Sequence, residues 1–132
     1  MEKITTTTYK AEITLGLNKG YSDNLWTLEE LKIKLTDAQQ SLKTKTGTLL
    51  SAKVTPCFIV FLGQDEKSVT ISFINYPKFP LSFNKFKEGV LWIAEELLYK
   101  LEQNRIVITF DNETIMFEKS IEVDPRINYD NP

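Results

Sequence analysis

The chain has 132 residues, of which 42% are hydrophobic and 26% charged, a composition typical of one globular domain and not of a disordered protein. Its formal net charge is −2, and Arg105 and Arg126 are the only arginines among its sixteen basic residues. Nucleic-acid-binding domains usually carry a basic face, and arginine is the residue best suited to phosphate. We therefore expect no nucleic-acid partner.

The sequence contains no histidine and a single cysteine, Cys57. These counts exclude an intramolecular disulfide, Ser-His-Asp and Cys-His catalysis, and the usual zinc sites, so neither a metal nor a cofactor is expected. Cys57 opens an apolar run, in which a buried and unreactive thiol is expected.

Neither a secretion signal nor a membrane span is predicted. Residues 1–5 lack the apolar segment of a signal peptide, and no stretch approaches the roughly 18 uncharged apolar residues that a spanning helix needs. The expectation is a cytoplasmic protein with no membrane partner.

The first elements in chain order are a strand and a helix. Apolar and polar residues alternate along the strand, and the set on one face is Tyr9, Ala11, Ile13, Leu15 and Leu17. Thr27 and Glu30 have the spacing of a capping box, which predicts that a helix begins there, with Trp26 as a hydrophobic staple. Apolar residues at spacings of three and four continue the helix, and Gly47 is predicted to end it.

Two strands separated by a short loop follow. The predicted core residues are Ala52, Val54, Phe58, Val60 and Leu62 in the first strand, and Val69, Ile71 and Phe73 in the second. The segment 63–67 is predicted to form the loop between them. Pro56 lacks a backbone donor, which predicts that the first of these strands lies at a sheet edge or contains a bulge.

The second half of the chain repeats the order strand, helix, strand. After Pro77 and Pro80, either Ser82 or Asn84 is predicted to cap a second helix, which can end at Asn104. Its predicted core stripe comprises Phe86, Val90, Ile93, Ala94, Leu97 and Leu101. Alternating apolar residues on both sides of an Asp-Asn turn predict a hairpin after this helix.

This order of elements predicts an α+β, ferredoxin-like β-α-β-β-α-β two-layer sandwich, with two helices on one face of a mostly antiparallel sheet and an extra C-terminal hairpin strand. We assign residues 1–119 to a single domain and residues 120–132 to an irregular polar tail. The element order resembles that of the tautomerase superfamily. Those enzymes use an amino-terminal proline as a base, whereas this chain starts Met1-Glu2-Lys3, so the resemblance carries no expected activity.

Apolar residues remain on surfaces that two helices cannot cover. Ile59, Phe61 and Ile74 fall on the second face of the sheet, and Trp92 and Tyr99 fall opposite the core stripe of the second helix. Exposed aromatic residues are typical of associating surfaces, although rings lying flat on the protein's own surface would explain the helical pair equally well. These residues predict a non-catalytic self-associating or protein-interaction module. Its partner would be another copy of the chain, with a dimer favoured, or a different protein.

The alternative hypothesis is a small-molecule-binding domain or an atypical enzyme with a pocket near the segment 75–80. There Asn75, Tyr76, Lys78 and Phe79 could grip a small anionic or planar ligand. A rigid connection with Phe79 in the core explains the same residues without any ligand.

No catalytic residue is assigned from the sequence. The five glycines are dispersed and form no phosphate-binding motif. The acidic residues Asp65 and Glu66, like Asp111 and Glu113, are placed in loops, where such residues serve turn geometry. A functional role for them is the less favoured interpretation.

Overall fold

The computed structural model describes residues 1–127, which form a five-stranded antiparallel sheet with two helices on one of its faces. In chain order the elements are β1 (Lys10–Gly16), α1 (Leu28–Thr46), β2 (Lys53–Phe61), β3 (Gln64–Ile74), α2 (Phe83–Lys100), β4 (Arg105–Phe110) and β5 (Thr114–Glu118). The strand order across the sheet is β2-β3-β1-β4-β5, and all neighbouring strands are antiparallel. This architecture confirms the predicted α+β fold, including the extra strand at the C-terminal end of the sandwich. No helix in the described part of the chain is long and apolar enough to cross a bilayer.

Helix α1 begins and ends where the sequence predicts. The Thr27 hydroxyl accepts a hydrogen bond from the Glu30 backbone N–H at 3.1 Å, and the Glu30 carboxylate accepts one from the Thr27 N–H at 3.0 Å. Gly47 follows the last turn with φ of 74°, a left-handed conformation that glycine adopts without strain. Trp26 packs against the core, and its indole N–H donates to the Leu101 carbonyl at 2.8 Å. That bond ties the start of α1 to the end of α2.

Helix α2 is capped by Ser82, whose hydroxyl accepts from the Lys85 backbone N–H at 3.3 Å. The helix ends at Lys100 with Leu101 as its C-cap, a few residues before the predicted end at Asn104. The side chains of its predicted core stripe are all buried between the helices and the sheet. Asn104 instead lies in the turn that leads into β4.

The core is one layer of apolar side chains between the helices and one face of the sheet. In the strands it contains Ala11, Ile13, Leu15, Val69, Ile71, Phe73, Ile106, Ile108 and Phe110. The other face of the sheet, which we call the open face, carries the alternate residues of each strand. The candidate site lies on this open face.

The hairpin of β2 and β3 differs from the prediction. The strands are joined by Leu62 and Gly63, with φ of 46° and 91°, so that β3 already begins at Gln64 and the predicted loop over 63–67 is wrong. β1 pairs with β3 only over Ser68–Ile74, which leaves the far end of the hairpin projecting beyond the sheet. Phe58 and Val60, predicted to be core residues, are therefore 66% and 72% exposed. Strand β2 lies at the sheet edge, as Pro56 predicted.

Candidate active site

A cavity of about 220 Å³ lies on the open face of the sheet, at the end of β1. Its walls come from four strands, the loop after β1 and the C-terminal tail. They include Gly16, Tyr21, Ile59, Gln64, Glu66, Gln103, Arg105, Val107, Val123, Asp124 and Ile127. Residues distant in sequence therefore meet here because the β2-β3-β1-β4 strand order brings the ends of these strands together.

The carboxylate of Glu66 lies directly over Gly16. The strand register pairs Gly16 with Ser68, so Glu66 projects from the same face just beyond the last residue of β1. A Cβ atom on residue 16 would lie 2.5 Å from the Glu66 Cδ and 2.6 Å from its Oε2. Real Cβ atoms essentially never show such a contact, so any other residue at position 16 would force the flexible Glu66 carboxylate to move.

The Glu66 carboxylate is partly removed from water. Burial raises the pKa of its carboxyl group, while the charge of Arg126 lowers it and that of Asp124 raises it further. Within residues 1–127 no side chain forms a hydrogen bond or an ion pair with this carboxylate. A desolvated, unpaired carboxylate with a raised pKa is suited to hold a cation or to exchange a proton.

Asp124 supplies a second carboxylate in the cavity wall, in a contrasting environment. It accepts hydrogen bonds from Gln64 Nε2 at 2.6 Å, from Arg126 Nη2 at 2.6 Å and from the Arg126 backbone N–H at 2.9 Å. Burial acts to raise the pKa of Asp124, but the hydrogen bonds from Arg126 and Gln64 outweigh it and the pKa is lowered. The pKa values of the two carboxyl groups are therefore shifted in opposite directions. That of Asp124 is lowered, which favours its ionised form, and that of Glu66 is raised, which makes Glu66 the better candidate for proton exchange.

A second network holds the tail on the sheet. The Tyr21 hydroxyl accepts from Asn104 Nδ2 and from Arg105 Nη1, both at 3.0 Å, and donates to the Glu122 carbonyl at 3.1 Å. Arg105 Nε also donates to Glu118 at 2.6 Å. These donors are already used within the protein, so they build the wall of the cavity, whereas the Glu66 carboxylate forms no hydrogen bond within the described residues.

The tail contains neither helix nor strand over residues 120–127, yet Asp124 is buried within it. The remaining tail residues, 128–132, lie outside the described part of the chain.

Because Asp124 attaches the tail to the sheet, the variant Asp124→Asn tests that attachment. We expect it to loosen the tail at a cost on the order of 1–3 kcal/mol, because charge-assisted hydrogen bonds to Arg126 and Gln64 are weakened.

Limited proteolysis of the tail and thermal melting would measure this effect, with Asp23→Asn as the control because Asp23 is exposed at 3.6 Å from Arg126. The lowered pKa of Asp124 also determines how its contribution to the stability of the folded chain depends on pH. Its stabilising contribution is present above the unfolded-state pKa of about 3.9 and is lost as the pH falls through the lower folded-state pKa. Equal protease resistance of Asp124→Asn and the parent chain would contradict this role.

The structure places the predicted ligand segment elsewhere, at the opposite end of β3. Asn75 is buried, and its amide donates to Thr6 Oγ1 at 3.0 Å and to the Thr7 carbonyl at 2.8 Å, so it fastens the N-terminal segment. The rings of Tyr76 and Phe79 lie 6.0 Å apart, and both are exposed beside a groove of about 490 Å³ against α1. Lys78 is exposed. Ligand binding at this segment stays a prediction.

The residues predicted to form an interface do not share one surface. Ile59, Phe61 and Ile74 are exposed on the open face, whereas Tyr99 is exposed on the outer side of α2. Trp92 is only partly exposed, since it packs against the core and lies under Lys45, whose Nζ is 5.7 Å from the ring centroid. Trp92 and Tyr99 border a shallow hollow with Glu95 and Glu96, and association through that pair stays a prediction.

The sequence analysis missed Glu66 because it placed the residue in a loop. Only one pattern could have located it, because residues 64–67 are all polar and show no alternation. An isolated glycine at the end of a strand pattern, such as Gly16, indicates close approach of another group.

Two solved structures that are similar in fold to this chain are of an enzyme. A phage SAM lyase in complex with S-methyl-5'-thioadenosine matches with a TM-score of 0.71 and 20% sequence identity, over 93% of this chain and 98% of that one. Its apo state matches with a TM-score of 0.67, at the same identity and coverage. No protein-family model matches the chain, and no curated protein matches it by sequence.

The hypothesis of a non-catalytic self-associating or protein-interaction module is therefore wrong, because the structures that share this fold over nearly the whole chain belong to an enzyme acting on a small molecule. The alternative, a small-molecule-binding domain or enzyme, is better supported. The interpretation gave too much weight to the absence of histidine, which removes the most familiar catalytic groups but leaves carboxylates available in general.

Proposed function

We propose that the chain is an enzyme that cleaves S-adenosylmethionine, or a closely related sulfonium compound, in the cavity at Glu66. The observation that carries this proposal is the partly buried Glu66 carboxylate, which forms no hydrogen bond or ion pair with a side chain of residues 1–127, in a fold matched to a phage SAM lyase over 93% of the chain. The substrate is a cation at sulfur, so the free negative group in the cavity is complementary to it.

The chemistry requires no external oxidant or reductant. S-methyl-5'-thioadenosine keeps the methyl and adenosyl groups of S-adenosylmethionine on a neutral sulfur. The bond from sulfur to the four-carbon amino-acid chain must therefore break, with its electron pair passing to sulfur. In a lyase reaction no water is added, so either the substrate's own carboxylate attacks the released carbon and closes a lactone, or a neighbouring carbon loses a proton and an alkene forms.

Glu66 can serve either route. As an anion it attracts the sulfonium into a partly desolvated site, where an ion pair is stronger than in water. Binding of the cation in turn lowers the pKa of Glu66 and offsets the effect of burial. In the lactone route Glu66 positions the cation for internal attack, and in the alkene route it is placed to accept the proton.

The direct test is to incubate the purified chain with S-adenosylmethionine and to follow S-methyl-5'-thioadenosine by mass spectrometry. We expect release faster than in a matched incubation without protein, and the second product, lactone or alkene, identifies the route. S-adenosylhomocysteine, which has a neutral sulfur, is the control and is expected to remain intact.

Thermal melting gives an independent measurement. Ligand at about 100 times its Kd stabilises the folded state by roughly 2.7 kcal/mol, so S-adenosylmethionine and S-methyl-5'-thioadenosine should raise the Tm. If neither compound raises the Tm and no thioadenosine product forms, the proposed function is wrong.

A further inference from the structure

We propose that Gln103 determines which nucleosides the cavity accepts, because its side-chain carbonyl oxygen accepts a hydrogen bond from the nucleoside half of the substrate. This inference rests on the proposed function, which names an adenosyl compound as the ligand. Gln103 lies between the end of α2 and the start of β4, in the wall of the cavity that also contains Glu66. It would therefore contact the nucleoside while Glu66 faces the sulfonium.

The amide nitrogen of Gln103 is fully committed within the protein. Nε2 donates one hydrogen bond to the Asn18 carbonyl at 2.8 Å and one to the Leu101 carbonyl at 3.0 Å. These two bonds use both N–H groups of the amide. Rotating the amide by 180° would point its oxygen at two carbonyl oxygens, which repel it, and would leave both N–H groups without these partners. The two bonds therefore hold the side chain in one orientation.

The groups that hold this orientation are themselves fixed. Leu101 is the C-cap of α2, and its carbonyl also accepts a hydrogen bond from the Trp26 indole N–H at 2.8 Å. Asn18 is buried, and its amide donates to the Ser22 carbonyl at 2.9 Å. The Gln103 amide is thus preorganised, so it loses little conformational freedom when a ligand binds.

The carbonyl oxygen of Gln103 is, by contrast, unused. Gln103 is only 8% exposed, yet its Oε1 accepts no hydrogen bond from residues 1–127. Buried polar atoms normally have a partner. Within that part of the chain, Trp92 Nε1 is the only side-chain polar atom that is sealed from solvent without a partner, so Gln103 Oε1 is open toward the cavity that the residue lines. A ligand in the cavity can supply the missing donor.

The other polar groups of the cavity indicate what kind of donor fits. The side chains of Gln64, Asn104 and Arg105 donate to groups of the protein itself. The cavity therefore presents acceptors, and the ligand must bring the donors. The charge of Glu66 suits a cation, whereas the neutral oxygen of Gln103 suits a neutral N–H or O–H group. The adenosyl half of S-adenosylmethionine carries such groups in the 6-amino group of its base and the two hydroxyls of its ribose.

The strand order places the two acceptors at a separation that one ligand can bridge. The chain continuing β1 runs between them, because the Leu17 N–H donates to the Lys67 carbonyl beside Glu66 at 2.9 Å, and the Asn18 carbonyl accepts from Gln103 on the other side. Neighbouring strands lie about 4.8 Å apart, so the two flanking backbones are roughly 10 Å apart. An extended adenosyl compound can therefore place its sulfur at Glu66 and its nucleoside at Gln103.

Binding of nucleoside analogues to the parent chain and to Gln103→Met, measured by titration calorimetry, tests this inference. The reference ligand is S-methyl-5'-thioadenosine, and three analogues each lack one donor, which is the 6-amino group, the 2'-hydroxyl or the 3'-hydroxyl. We expect one analogue to bind the parent chain about 10- to 100-fold more weakly than the reference, because it leaves the Gln103 oxygen without a donor. In Gln103→Met, which removes that oxygen, the same analogue and the reference should bind with equal affinity.

Trp26→Phe is the matched control for a structural effect. It removes the other donor to the Leu101 carbonyl but changes no residue of the cavity wall. We expect it to lower the Tm and to retain the parent's ratio of affinities. If Gln103→Met does not fold, Gln103→Lys replaces it, because an ammonium group can donate to the same two carbonyls but has no acceptor.

A purely structural role of Gln103 would weaken the binding of every ligand by the same factor, and an unchanged ratio in Gln103→Met would therefore overturn the inference. A parent chain that binds all three analogues as tightly as the reference would overturn it as well. Cleavage of S-adenosylmethionine together with either result would leave the proposed function in place without a role for Gln103. If the parent chain binds neither S-adenosylmethionine nor S-methyl-5'-thioadenosine, both proposals are wrong.

Discussion

Glutamine in place of Glu66 is expected to slow the cleavage of S-adenosylmethionine by at least about 100-fold. Removing one preorganised electrostatic partner of the reacting centre typically costs 10²- to 10³-fold, and Glu66 is the only unpaired carboxylate in the cavity among the described residues. Initial rates of product release at saturating and at low substrate would separate loss of binding from loss of turnover. Glu12→Gln is the matched control, because Glu12 is an exposed carboxylate on the same open face.

The same variant has expected signatures in stability and in pH dependence. Because burial raises the folded-state pKa of Glu66 above its unfolded value, its ionisation disfavours the folded state as the pH rises through that pKa. Glu66→Gln should therefore melt no lower than the parent chain at neutral pH.

The pH profile of the parent's cleavage rate should also report on Glu66. The rate should fall toward acidic pH as Glu66 is protonated, and this fall should begin at a higher pH than for an ordinary glutamate. Parent-like activity in Glu66→Gln would remove Glu66 from the site.

Alanine in place of Gly16 is expected to lower the rate by roughly 10- to 100-fold while the fold is retained. The added Cβ would lie 2.5 Å from the Glu66 Cδ, so the flexible carboxylate must move, and displacement by about 1 Å can cost an enzyme two orders of magnitude. The measurement is the rate of the single variant and of Gly16→Ala combined with Glu66→Gln.

The combined variant makes this test specific. If alanine acts by displacing the carboxylate, it should add little to the loss already caused by Glu66→Gln, since both changes remove the same interaction. Gly89→Ala is the control for a crowded glycine, because its Cβ would lie 2.8 Å from Leu50 Cδ1 within the core. That variant should lower the Tm and leave the rate per folded molecule unchanged. Additive losses in the double variant would contradict the proposed role of Gly16.

Local chemistry made most of the fold predictable. Thr27, Glu30 and Gly47 determine the ends of α1 through hydrogen bonds and backbone angles that involve only nearby residues. Alternation along β1 and β4 identified their buried faces, since both strands pair on each side with other strands and lie under the helices. These features depend on neighbours within a few positions of the sequence.

The hairpin of β2 and β3 was less predictable because the number of strands beside a segment is not a local property. Alternation in β2 is compatible with a buried face, yet Phe58 and Val60 lie on the part of the hairpin that projects beyond β1, and both are exposed. Likewise, the polarity of residues 64–67 is shared by loops and by exposed strands. The two-residue turn was also hard to predict because Leu62 adopts a positive φ, which is unusual for a residue with a side chain.

The sequence by itself determined the order of elements, the ends of α1 and the core faces of β1, α2 and β4, because propensity, periodicity and capping act over a few residues. The tertiary structure alone decided that Gly16, Glu66 and Asp124 meet in one cavity, since strand order and tail position join residues separated by fifty or more positions. It also decided the ionisation of Glu66, because burial and the charges of Asp124 and Arg126 exist only once the sheet and the tail are assembled.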